Sequence, residues 1–349
     1  MPASVHPASA SRRSGAFRTM TAAGGRTRRH STSASAHATM QPITSGRPPR
    51  RHPIRCSNSR AASGRCTGSV SGGAMPSTAT PMLPADACDT HSHIYPPAGS
   101  FPLRPGQRHE PHADVADYLA TCQTLGVGRH VILQGKAYAG PAATLDAVAR
   151  IGRQRARAML FLDARPTESE LQNWQSGGVS GFRFLFPSGA PVAREPVELG
   201  ASVAAEMGWH IVVQAEAGSL NEAYGWLRDL PCPVVIDHLG RQPPDVQAES
   251  PEFVALHSFL ADGGWIKIAS PYNLNADGST LFDGLAESVQ RLVAAAPERC
   301  VWGMNFPHPN LGADGKPDEI ATLASLLSIL PEGAASALFV HNPARLYRF

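Results

Sequence analysis

The chain has 349 residues, 42% hydrophobic and 17% charged, which suits one large α/β domain. It has no apolar run of about 18 residues of the kind that spans a membrane. The formal charge of +3 hides a split: residues 1–74 hold 12 arginines and no acid, leaving 19 basic against all 28 acidic residues, or −9, on the remainder. A basic nucleic-acid-binding surface is therefore not expected.

Residues 1–84 form a tail rich in Ser, Ala, Gly, Pro and Arg, with the first acidic residue at Asp86. It has too few aliphatic residues to offset its chain entropy and is expected to be disordered. A transit peptide shares its Arg- and Ser-rich, acid-free composition. The arginine pairs Arg12-Arg13, Arg28-Arg29 and Arg50-Arg51 are too sparse for a nucleic-acid arm, and no apolar stretch follows the first as an export signal needs. The simplest expectation is a start of translation at Met75 or Met82. Six cysteines without a CxxC pair exclude a disulfide scaffold and fit a reducing cytoplasm.

From Cys88 onward, short apolar runs alternate with helical periodicity. Strands are predicted at Cys88–Ile94, His130–Gln134, Ala158–Ala164, Gly181–Phe186, His210–Ala215, Val234–His238, Trp265–Ser270 and Cys300–Phe306. Helices are predicted between them at Asp114–Leu125, Pro141–Gln154, Glu168–Ser176, Pro196–Met207, Leu220–Leu230, Pro251–Asp262 and Leu281–Ala296, with Glu319–Leu330 following the last strand. Eight β/α units over residues 85–349 predict a (β/α)8 TIM barrel, whose chemistry sits at the C-terminal ends of its strands. A doubly wound sheet fits less well, because no GxGxxG follows a strand.

Strand one ends in Asp89-Thr90-His91-Ser92-His93, and residues two apart on a strand share a face, so His91 and His93 both point into the mouth. Such a pair is a common beginning of a divalent metal site. Strand two ends at Gln134, with Lys136 beyond. Strand four places Arg183 among apolar residues, where it would grip a carboxylate bidentately or pair with Asp163. Gln214 ends strand five, with Glu216 beyond. Strand six brings His238, a candidate acid, base or carbonyl polariser. Strand seven ends at Tyr272 and Asn273, and strand eight leads to Asn305 and His308.

These segments, with Trp302-Gly303-x-x-Phe306-Pro307-His308-Pro309 and the closing Asn342-Pro343-Ala344-x-Leu346-Tyr347, resemble the amidohydrolase superfamily. They are most similar to the branch of the 2-pyrone-4,6-dicarboxylate lactonases. The resemblance implies Asp, the base that activates water and sometimes a metal ligand, where this chain has Asn305. An amide can neither take that proton nor ligate a hard cation well. It also implies Arg where this chain has Asn273, so a substrate with one carboxylate fewer is expected.

Loss of a general base costs about 10²–10⁴-fold, but attack by a hydroxyl on the bound substrate suffers less, because effective molarities reach about 10⁵–10⁸ M. Within the branch the pattern is similar to the D-galactarolactone isomerases. That likeness implies conversion of D-galactaro-1,5-lactone to the 1,4-lactone without metal or other cofactor. A small sugar-acid lactone would be the substrate partner, with neither nucleic acid nor membrane involved and the oligomeric state left open. Arg183 would anchor the free carboxylate with help from Lys136, Tyr272, Gln134, Asn273 and His308. His91, His93 and His238 would surround the lactone carbonyl, and Asn305 would hydrogen-bond the ring. The alternatives are a lactone hydrolase using Glu216 or His308 as base, a zinc amidohydrolase or decarboxylase built on His91, His93 and His238, and a sugar-acid-binding barrel without activity.

Overall fold

The computed structural model describes residues 83–242, 249–312 and 315–349. Eight strands, β1 (Cys88–Ser92), β2 (Arg129–Leu133), β3 (Ala156–Phe161), β4 (Val179–Leu185), β5 (His210–Gln214), β6 (Val234–Ile236), β7 (Trp265–Ile268) and β8 (Cys300–Trp302), form one parallel sheet in sequence order. Between them run α1 (Val115–Leu125), α2 (Ala142–Ile151), α3 (Glu168–Ser176), α4 (Arg194–Met207), α5 (Ala217–Leu227), α6 (Pro251–Ala261) and α7 (Ala286–Ala295), with α8 (Glu319–Ile329) after β8. The sheet closes through the stretch after β8. Thr90 Oγ1 donates to the Trp302 carbonyl at 2.6 Å, and the backbone N–H groups of Asn305 and His93 donate to the His91 and Phe306 carbonyls, each at 2.7 Å. The result is a (β/α)8 barrel.

Local sequence sets the helix starts. Asp114 with Asp117 and Thr167 with Glu170 form reciprocal capping boxes on α1 and α3, satisfying backbone donors that a helix start leaves unpaired. Gly126, with φ 80°, ends α1 in the left-handed region. Along the strands, side-chain direction alternates. Val131, Leu133, Met159, Val212, Val235, Trp265 and Val301 pack inside the barrel with Leu346 and Tyr347. Ile132, Leu160, Phe182, Ile211, Val213, Ile236, Ile266 and Ile268 pack outward under the helices. Gly181 is required by close approach, since a Cβ there would lie 2.1 Å from the His210 carbonyl oxygen.

Several predicted strands end early, β1 at Ser92, β3 at Phe161 and β7 at Ile268, and in two more left-handed residues account for it. The runs Val234–His238 and Cys300–Phe306 are strand only to Ile236 and Trp302. His238, Leu239, Arg241 and Asn305 carry φ of 49°, 53°, 44° and 69°, and left-handed residues cannot extend a strand. Helix α5 begins three residues before the predicted Leu220, and α7 begins beyond the predicted Leu281, after a tight turn at Asp283–Leu285. A helical stretch from Ala334 to Tyr347, including a π-helical turn at Ala337–His341, was not predicted. The expected disordered tail lies outside the described residues except for Leu83 and Pro84. Among the described residues no helix is long and apolar enough to cross a membrane. Cys88, Cys122 and Cys300 are free and buried, and Cys232 is free and half-buried.

Candidate active site

The end of β1 is clamped by its own aspartate. Asp89 Oδ1 accepts the backbone N–H groups of His91 (3.0 Å) and Met304 (2.9 Å), and Oδ2 accepts the hydroxyls of Ser92 (2.5 Å) and Tyr118 (2.8 Å). With four donors this carboxylate is structural, joining β1, α1 and the end of β8. The β1–β2 register slips between Asp89 and Ser92, which re-aims the histidine segment. Gly303 lets the segment after β8 approach, because a Cβ there would sit 2.5 Å from that of His91.

His91 and His93 converge as their spacing predicts, with their Nε2 atoms 3.3 Å apart. His93 Nδ1 lies 2.9 Å from the Leu133 carbonyl, so it carries a proton and donates there. His91 Nδ1 lies 3.1 Å from Asp237 Oδ1 and 3.4 Å from Lys267 Nζ, and Lys267 Nζ is itself 3.4 Å from Asp237 Oδ1. The His238 ring stands 4.6 Å from that of His91, with its Nε2 3.8 Å from Asp237 Oδ2. Asp237 Oδ2 and His238 Nδ1 are buried without a hydrogen-bond partner.

Burial decides the charge states. It pushes His93 down to about 3, with the Arg183 cation adding to the effect, and His238 down to about 4 against the opposing pull of Asp237. Burial lowers His91 as well. All three are neutral imidazoles near pH 7. Burial alone would raise Asp237, but the Lys267 ammonium 3.4 Å away opposes it and holds the carboxyl below its ordinary range.

Arg183 is 4% exposed and faces no carboxylate among the described residues. The alternative partner Asp163 is taken by Arg104 at 2.8 Å. Arg183 donates to the Gln134 carbonyl at 3.2 Å and to Gln214 Oε1 at 3.4 Å, and it stands 5.2 Å from the Phe161 ring centre. With two long bonds for five donors, this cation has N–H groups left to face the cavity, as expected of a group that receives an anion. It opens onto a cavity of about 300 Å³ that His91, His93, His238, Arg241 and Asn305 also line, with Lys136 and Glu216 at its edge.

Several predicted substrate contacts are placed elsewhere. Gln134, Tyr272, Asn273 and His308 are not among the residues lining this cavity. The Gln134 amide is used between strands, accepting Phe161 N–H at 3.1 Å and donating to the Tyr138 carbonyl at 3.4 Å. Tyr272 and His308 instead hold Asn305. Asn305 Nδ2 donates to the Tyr272 hydroxyl at 2.7 Å, that hydroxyl lies 3.1 Å from His308 Nδ1, and His308 Nε2 lies 2.7 Å from Glu319 Oε1. With Glu319 able only to accept, the donors run from Asn305 through Tyr272 and His308 to the carboxylate. A carboxylate in place of Asn305 would reverse the first of these bonds, so the network is matched to an amide. Glu216 is engaged by the Ser188 hydroxyl and, at 3.1 Å, by the Gly189 N–H, which lower its carboxyl.

Asp237, Arg241 and Lys267 were given no role in the site from the sequence. The signal for Lys267 was its parity: it lies two residues beyond Trp265, on the inward face of β7. By donor type, His91, Asp237 and His238, whose ligand atoms lie within 4.8 Å of one another, would suit a divalent cation. The buried Lys267 ammonium against two of the three does not fit a second cation there.

The Amidohydrolase family profile matches residues 88–349, and the chain belongs to that family. A 2-pyrone-4,6-dicarboxylate hydrolase of Comamonas testosteroni is 32% identical over 295 residues, covering 78% of this chain and 94% of the relative. A D-galactarolactone isomerase of Agrobacterium fabrum is 31% identical over 276 residues, covering 77% and 93%. A ligand-free crystal structure from Agrobacterium tumefaciens superposes with a TM-score of 0.70 at 29% identity, covering 77% of this chain and 98% of its own. The chain is a lactone-processing enzyme of this family.

Proposed function

We propose that this barrel isomerises D-galactaro-1,5-lactone to the 1,4-lactone by intramolecular acyl transfer, without a metal ion. The observation that carries this reading is Asn305, a buried amide at the end of β8 whose donor is committed to Tyr272. It has no means of drawing a proton from water, so a nucleophile already on the substrate is favoured. The unsatisfied Arg183 guanidinium receives the free carboxylate, and Lys136 adds positive charge at the rim.

In the reaction, the C4 hydroxyl oxygen bonds to C1 while His238 takes its proton. The carbonyl oxygen becomes an oxyanion beside His91, which can carry its proton on Nε2, whereas His93 spends its N–H on the Leu133 carbonyl. Collapse then breaks the bond from C1 to the C5 oxygen, which takes the proton back from His238. No water enters the product, and burial keeps His238 a free base through neutral pH.

Hydrolysis of a dicarboxylate lactone is the second reading. It is favoured by Glu216, an acid at the cavity, and by Arg241, a cation that would hold a second carboxylate. Proton NMR of D-galactaro-1,5-lactone with the protein in ¹⁸O-labelled water separates the two. Unlabelled 1,4-lactone as first product is the expected result. Labelled open-chain galactarate as first product would establish hydrolysis instead.

A further inference from the structure

Counting protons along the histidine chain exposes a deficit. Three gaps run in series: Asp237 Oδ1 to His91 Nδ1 at 3.1 Å, His91 Nε2 to His93 Nε2 at 3.3 Å, and His93 Nδ1 to the Leu133 carbonyl at 2.9 Å. Both ends of the series are acceptors, so each gap needs one hydrogen. Two neutral imidazoles supply only two. If His91 donates to Asp237, two bare Nε2 lone pairs meet at 3.3 Å, an arrangement that protein alone cannot satisfy and that a cation between them would.

Lys267 lies where the missing hydrogen is needed. Its Nζ is 3.4 Å from His91 Nδ1 and from Asp237 Oδ1, and the side chain is fully buried. We propose that Lys267, by donating to His91 Nδ1 and Asp237, fixes His91 as the Nε2–H tautomer and so keeps the strand-end histidines closed to divalent metal. The chain then reads Lys267 Nζ–H to both His91 Nδ1 and Asp237 Oδ1, so that the ammonium bridges the two lone pairs facing each other at 3.1 Å, followed by His91 Nε2–H to His93 and His93 Nδ1–H to Leu133. When a lactone carbonyl is bound, this same N–H can turn from His93 to its oxygen, the form in which a neutral imidazole stabilises an oxyanion. Lys267 is thus a positioning residue. This inference rests on the metal-free part of the reading above, and it holds for isomerisation and for hydrolysis alike.

Two measurements test it. ¹⁵N spectra of the histidine rings in the unaltered protein should show His91 protonated at Nε2 and bare at Nδ1; the opposite tautomer overturns the proposal, whatever the reaction. Zinc titration should show no stoichiometric uptake by the unaltered protein at micromolar metal. Lys267→Met should take up one equivalent at least 100-fold more tightly, and further substitution of His91 should abolish that uptake. A folded Lys267→Met variant with unchanged zinc affinity overturns the role of Lys267 while leaving the metal-free reaction standing. Stoichiometric zinc in the unaltered protein overturns both. Because Lys267→Met leaves Asp237 uncompensated, Lys267→Met/Asp237→Asn is measured alongside it; with a carboxylate ligand also gone, its gain in zinc affinity should be smaller but still above the unaltered protein, and no gain in either variant overturns the role of Lys267.

Discussion

At the base of the barrel, Val131, Val212, Val235, Trp265 and Val301 close the interior against Leu346 and Tyr347. Two residues further along the same faces the side chains change character, from Val235 to Asp237, from Trp265 to Lys267, and from Gly181 to Arg183. The interior there is packed and uncharged, with the buried His210 ring and the Tyr347 hydroxyl as polar groups, whereas the mouth holds the buried charges of Asp237, Lys267 and Arg183. The same alternation thus serves stability at one end and chemistry at the other, as the fold's division of labour requires. Substitutions at the two ends should separate these roles.

The largest separation is expected at the mouth with His238→Asn. Loss of the proton carrier should lower kcat by about 10²–10⁴-fold with the melting temperature essentially unchanged; a fall below 10-fold would remove His238 from the reaction. The converse is Tyr347→Ala at the base. Emptying this fully buried ring position should cost about 3–5 kcal/mol in denaturant unfolding, while kcat per folded molecule stays near its original value. A stable Tyr347→Ala protein with altered kcat would mean that the ends are coupled.

A sharper test is Arg183→Met, where the roles should oppose one another. Charged hydrogen bonds contribute about 1.5–3 kcal/mol each, so KM should rise about 10–100-fold. Removing a buried cation without a carboxylate partner should leave thermal stability level or higher. Unchanged KM would rule out Arg183 as the carboxylate anchor.

Acid reaches both ends together. Burial lowers His93 and His210 to about 3, and His130 and His238 to about 4, from an ordinary 6.5. The unfolded chain therefore binds more protons than the folded one between these values. Stability is fully present above pH 6.5 and is lost as pH falls toward 4. Urea midpoints measured from pH 7.5 to 4.5 should decline with uptake of more than one proton; a flat profile would contradict the buried neutral state. The smallest effect belongs to Tyr347→Phe, which deletes a buried hydroxyl without a hydrogen-bond partner and should leave stability unchanged or slightly raised.

The eight-fold alternation was legible because buried parallel strands are short, nearly continuous apolar runs and the helices between them carry caps and periodicity. His91, His93, Arg183 and His238 could be placed for the same reason, since strand ends in a barrel converge. The early ends of β6 and β8 were not legible, because apolar residues recur beyond them at Leu239 and Met304, while the sign of φ does not show in a sequence. Tyr272 and His308 were read as substrate contacts because they follow strands; hydrogen bonding instead turns them toward Asn305. Lys267 passed as an ordinary strand residue because its partners, Asp237 and His91, are remote in sequence and meet it only when the barrel closes.

The left-handed residues at the mouth bear on any attempt to make a heat-tolerant version of the protein. His238, Leu239, Arg241 and Asn305 each hold a conformation that costs a residue with a side chain about 1 kcal/mol or more. Glycine would remove that steric cost, but Leu239 is packed in the core, and losing its buried side chain would cost more, about 2–5 kcal/mol. A laboratory selection for heat resistance would therefore keep leucine at this turn, and the stiffness between His238 and Arg241 would be retained along with the packing.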